Sequence, residues 1–121
     1  MWSPHWQFDA ETFECTAKSF DNPDFVDVVI QSYRHRYGYA AGDPALESVE
    51  QQLVAQPAIT VPTIVLHGEA DGIQPVDRSL RHAPKFTGFY ERRTITRAGH
   101  NLPQEVPEFV CKATLDLLAR T

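Results

Sequence analysis

Two turns in the second half of the chain carry the side chains best suited to proton transfer. The run Val61-Pro-Thr-Ile-Val-Leu-His-Gly-Glu-Ala-Asp71 ends by delivering Asp71, and the later run Thr94-Ile-Thr-Arg-Ala-Gly-His100 ends by delivering His100. Each is an apolar, β-branched stretch that stops in a glycine-containing turn, a rigid way to fix a polar group at the edge of a sheet. A carboxylate and an imidazole held on neighbouring strands are two of the three members of a nucleophilic triad. The imidazole takes a proton, and the carboxylate fixes its tautomer and stabilises the imidazolium. The competing reading is that Asp71 caps the turn that follows it while His100 merely closes a loop.

The third member is missing from the pattern. None of Ser3, Ser19, Ser32, Ser48 and Ser79 is flanked by glycines as G-x-S-x-G, and neither Cys15 nor Cys111 has such a frame. The remaining polar candidates read as structural. His67 ends a buried strand before Gly68 and is expected to bond backbone, and Glu69 is a turn residue. His67, Glu69 and Asp71 alternate along one segment but match no zinc spacing, so neither a metal nor another cofactor is expected. Glu105 is expected to cap the last helix near its positive end, and His35 and His82 are expected on exposed helix positions. Among the aromatics, Trp6, Tyr33 and Tyr37 are candidates for lining a substrate pocket, set against plain core packing for most residues of that kind.

The elements that must position Asp71 and His100 follow from periodicity. Ala10 to Ser19 can form a short helix. Asn22-Pro23-Asp24 supplies an N-cap, a first-turn proline and an acid, and Phe25, Val28, Val29, Tyr33 and Tyr37 then recur at helical spacing up to Gly38. Asp43-Pro44 repeats the start signal for a helix carrying Leu46, Val49, Leu53 and Val54. Residues 61–66 and 89–96 read as strands separated by a helix from about Pro75 to His82, and Val106, Phe109, Val110, Ala113, Leu117 and Leu118 form one apolar helical stripe. The order is three helices and then β-α-β-α, the crossover making two parallel strands. A lone parallel pair has two open edges, so either other chains complete the sheet or the helices wrap it closely.

Composition excludes several classes. The chain has 121 residues, with 42% hydrophobic and 22% charged, as in ordinary globular domains, and a single domain is expected. A formal net charge of -5 argues against nucleic-acid binding, which needs clustered Lys and Arg. Two isolated cysteines, Cys15 and Cys111, read as reduced core thiols. No apolar run is long enough to cross a membrane and the N-terminus lacks signal-peptide order, so a cytoplasmic protein is expected.

The two turn motifs together resemble the C-terminal end of an α/β-hydrolase. In that family the last two core strands carry an HGxxD turn and a GH turn, matched here by His67-Gly68-Glu69-Ala70-Asp71 and by Gly99-His100. The resemblance implies a partial α/β-hydrolase fold, with a lid-like helical region over 1–57 and a core segment over 58–121. It also implies Asp71 as triad acid and His100 as triad base, acting on a small ester, epoxide or similar molecule. The upstream strands and the nucleophile elbow are absent, which implies a chain inactive by itself. The rival reading is a truncated pseudoenzyme or a self-association module, a homodimer formed through the open sheet edge or the aromatic N-terminus. A third reading is a piece of a longer product.

Overall fold

The computed structural model describes residues 1–120. They fall into two compact units, one formed by Phe8–Gln56 and the other by Met1–Gln7 together with the residues from Pro57 onward.

The Phe8–Gln56 unit is helical. Helix α1 (Ala10–Ala17) begins at Asp9, whose side chain accepts the Thr12 N–H at 2.8 Å, and runs into a 3-10 turn over Lys18–Asp21. Helix α2 (Phe25–Arg36) starts later than the Asn22-Pro23 signal predicts. The Asn22 side chain accepts the Asp24 N–H at 3.0 Å and so closes an Asx turn instead of capping the helix. Its far end is as expected. Gly38 takes a φ of 76°, its N–H donates to the His35 carbonyl, and the Tyr39 N–H reaches back to that of Arg34. Asp43 caps a 3-10 turn (Pro44–Leu46) that continues into α3 (Glu47–Val54).

The second unit holds a two-stranded parallel sheet, β1 (Thr63–Gly68) beside β2 (Tyr90–Ile95), in a register that pairs Thr63 with Tyr90 and Gly68 with Ile95. β1 begins after Pro62, which has no N–H to give to a ladder, and Thr63 opens the pairing by donating to Phe89. The connection is a 3-10 stretch over Val76–Lys85 where an α-helix was expected. Pro84 lies within it and removes a helical donor. Below the sheet, Arg92 reaches from β2 to this stretch, its Nε donating to Ser79 Oγ at 2.6 Å and its terminal nitrogen to the Val76 carbonyl. After β2 come a single turn, α4 (Leu102–Glu105), and a longer helix, α5 (Pro107–Leu118).

Within the unit that holds the sheet, α4 and α5 both pack against β1. Ile95, Ala98 and Ala113 are the only buried apolar residues among those described. On the stripe of α5, Phe109 and Leu118 stand in solvent, and Leu115 beside them is 66% exposed. Cys15 and Cys111 are free but exposed, not core thiols. Of the α5 stripe, Ala113 is buried and Val106, Val110 and Leu117 are partly covered, so the face meets a core only in part. No helix among the described residues is long and apolar enough to span a membrane.

Candidate active site

Asp71 and His100 meet. The carboxylate Oδ2 lies 2.8 Å from His100 Nδ1, while Oδ1 accepts the N–H groups of Ile73 at 2.8 Å and Gln74 at 2.9 Å. The two readings of Asp71 are therefore both present, one on each oxygen: it caps its own turn and it holds the imidazole. The meeting follows from the register, since parallel strands of equal length bring their C-terminal turns to the same sheet end. Gly68 is required where the turns touch. A Cβ there would overlap the carbonyl groups of Ala98 and Gly99.

Burial alone pushes the Asp71 carboxyl upward, but the Gln74 N–H, the His100 ring and the Ile73 N–H together hold it below the usual carboxylate value. An ionised Asp71 can only accept, so His100 carries its proton on Nδ1. The Nε2 lone pair is then the basic site, and it has no hydrogen-bond partner among the described residues. The Asp71 side chain is 8% exposed and that of His100 34%, so a sheltered carboxylate supports a reachable base. The indole of Trp2 packs edge-on against the ring, with centroids 5.5 Å apart.

His67 is structural, as expected. Its Nε2 lies 2.9 Å from the Gln74 carbonyl, which can only accept, so this nitrogen carries the proton; Nδ1 then accepts from Ser79 Oγ at 2.8 Å. Ser79 is almost wholly buried, and with Arg92 it fixes the stretch behind the acid turn. Glu69 accepts from Thr94 and Thr96 on the neighbouring strand. No group of three potential metal ligands exists among the described residues.

Glu105 does not cap α5. Its carboxylate turns back onto the histidine turn, accepting from Ser3 Oγ at 2.6 Å, Gly99 N at 2.7 Å and Asn101 N at 2.8 Å. Burial raises its carboxyl, and these three donors outweigh that and hold it low, against a small opposing push from Asp71. Ser3, which has no nucleophile-elbow frame, sits on the histidine turn. It does not contact the imidazole, because its oxygen is committed to Glu105, the His100 N–H at 3.1 Å and the Asn101 amide at 3.3 Å. Its position beside His100 left no local signal, since a serine between Trp2 and Pro4 has no periodicity to read.

The structure thus joins Asp71 and His100, and Trp6, in the same unit, lies apart from the pair. Trp6 lines a recess of about 260 Å³ with Thr96, Arg97 and Glu105, and neither Asp71 nor His100 borders it. Tyr33 and Tyr37 belong to the helical unit and stack on each other with centroids 6.4 Å apart.

Three helices followed by two parallel strands, with an acid and a histidine at the carboxyl ends of those strands, form a partial α/β-hydrolase fold. A crystal structure from Klebsiella pneumoniae subsp. pneumoniae, described as a candidate epoxide hydrolase, superposes on this chain with a TM-score of 0.87 at 45% identity. The match covers 95% of this chain and 38% of that one, so the chain spans well under half the length of the structure it resembles. No protein-family model matches the chain, and no curated protein does.

Proposed function

We propose that this chain is the acid–base portion of a hydrolase acting on a small epoxide, ester or similar substrate. His100 is the general base through Nε2, and Asp71 fixes its tautomer and balances the charge it gains. The observation that carries this is the 2.8 Å contact between Asp71 and His100 Nδ1, with Nε2 left open. The epoxide hydrolase assignment of the similar Klebsiella structure supports the substrate class. The nucleophile, or the surface that positions a water, comes from outside these residues. Removing the nucleophile from a triad costs about as much as removing the whole of it, so the isolated chain has essentially no turnover. In this reading Trp6, Tyr33 and Tyr37 are substrate-facing candidates, and the helical region serves as a lid.

The test is a chimera in which this chain replaces the matching segment of the Klebsiella protein, assayed on an epoxide and on a nitrophenyl ester. Activity that falls by orders of magnitude on His100→Ala supports the proposal. A folded, active chimera indifferent to that change removes it.

A second reading has its own observation. Phe109 and Leu118 of α5 are exposed and both edges of the sheet are open, and unpaired strand edges are seldom left so. The chain then serves as a non-catalytic self-association module, as a homodimer, and its mass in solution separates this from a monomer.

A further inference from the structure

The turn that carries His100 is held by parts of the chain that no triad pattern includes. Its three consecutive backbone N–H groups are all engaged: Gly99 to Glu105 Oε2 at 2.7 Å, His100 to Ser3 Oγ at 3.1 Å and Asn101 to Glu105 Oε1 at 2.8 Å. Ser3 Oγ donates its own hydrogen bond to Oε1, so one hydroxyl and one carboxylate satisfy the whole turn. Successive N–H groups pointing into one concavity form a nest that favours an anion, and here the anion is a side chain of the same protein.

The strap formed by Met1–Ser3 also reaches the other turn. The Gly72 N–H donates to the Trp2 carbonyl at 3.0 Å, and a Cβ at Gly72 would overlap the Met1 carbonyl. A Cβ at Gly99 would lie 2.7 Å from that of Ser3. The strap therefore passes between the acid turn and the histidine turn at the two points where only glycine leaves room, and it lays the Trp2 indole on the His100 ring.

From this arrangement we infer that Ser3 and Glu105 are positioning residues for His100: they lock the histidine turn, through the strap, at the distance from Asp71 that keeps the proton on Nδ1 and Nε2 free. The inference rests on the proposed acid–base reading for its catalytic meaning. Its structural content stands on the hydrogen bonds alone. Neither residue touches the imidazole by a side-chain hydrogen bond, so each acts on the base only through the backbone that carries it.

Imidazole nitrogen NMR of the full chain tests it, with His67 as an internal reference because it takes the opposite tautomer. In the wild-type chain, His100 shows a protonated Nδ1 with a downfield proton and His67 a protonated Nε2. Ser3→Ala and Glu105→Gln are expected to collapse the His100 signal to a mixture of tautomers while that of His67 persists. An unchanged His100 signal in both variants overturns the inference. If Glu105→Gln erases the His67 signal as well, the turn has unfolded and Ser3→Ala, which removes a single oxygen, decides. In the chimera, Ser3→Ala is expected to lower kcat about 10- to 100-fold with KM held, the usual result of displacing a catalytic group by about 1 Å. A chimera inactive from the outset would count against the hydrolase reading and leave the NMR result to judge the positioning.

Discussion

Replacing Asp71 with asparagine separates what this residue does for the fold from what it does for the base. The side chain accepts three hydrogen bonds, two from fixed backbone N–H groups on Oδ1 and one from the ring on Oδ2. Asparagine has one accepting oxygen, and two backbone donors outweigh one ring, so the amide oxygen takes the Oδ1 position and the NH₂ faces His100. The ring can meet a donor only by accepting on Nδ1, which moves its own proton to Nε2. The number of hydrogen bonds is conserved, and the change is from charged to neutral partners. At roughly 1 kcal/mol per bond, offset by easier burial of a neutral group, the stability cost is about 1–2 kcal/mol. The catalytic cost is far larger, since the nitrogen that must accept a proton now carries one. A tautomer error of this kind lowers kcat by about 10⁴-fold in a serine protease triad. The assays are thermal unfolding and imidazole NMR on the chain and ester or epoxide turnover on the chimera. A variant whose His100 keeps its Nδ1 proton, or whose chimera stays within a few-fold of wild type, refutes the reasoning.

Further outcomes follow from the same contacts. The Asp71 and Glu105 carboxyls are both held below their ordinary values of 3.8 and 4.5, so the stability they contribute is complete above about pH 4.5 and is lost as pH falls through their lowered values. Melting temperature against pH should drop in that acid window, less steeply in Glu105→Gln. Arg92→Met strips the buried Ser79 hydroxyl and the Val76 carbonyl of a charged donor and should cost about 2–3 kcal/mol in urea unfolding. Arg93→Met, which breaks more open pairs with Glu91 and Asp116, should shift the same unfolding midpoint clearly less than Arg92→Met. Both cysteines should react fully with a thiol reagent in the native chain. Selective protection of Cys111 would show that the α5 face is covered by a second molecule. Gly68→Ala should lose the His100 tautomer signal along with most of the native fold, because its methyl meets two backbone carbonyls that cannot yield.

The strands and the Asp71–His100 pair were legible in the sequence because their determinants are local. β-branched runs, glycine turns and the right-handed crossover rule force two parallel strands to end side by side. The supports of the pair were not legible. Ser3 lies 102 positions from Glu105, and nothing in either neighbourhood anticipates the other. Glu105 precedes a helix and so reads as its cap, yet three donors lie closer to it on the preceding turn. Nothing near Arg92 in the sequence points to Ser79 or Val76, yet its guanidinium binds both in the 3-10 stretch that follows the acid turn. The exposure of the cysteines and of parts of the apolar stripes was not legible for the converse reason. Periodicity tells which face of a helix prefers burial, and whether anything is present to bury it is a tertiary fact.

The separations along the chain also order events in time. Asp71 and His100 are 29 positions apart, within a single β-crossover-β unit, whereas the Ser3–Glu105 clasp spans 102. Closing the longer loop costs only about 1 kcal/mol more by chain statistics, but the loop contains the whole Phe8–Gln56 unit and can shut only onto a histidine turn already formed. The strap is thus the last piece to dock during refolding and the first to peel away in mild denaturant. Loss of a well-oriented imidazole should therefore precede the cooperative melt of the sheet.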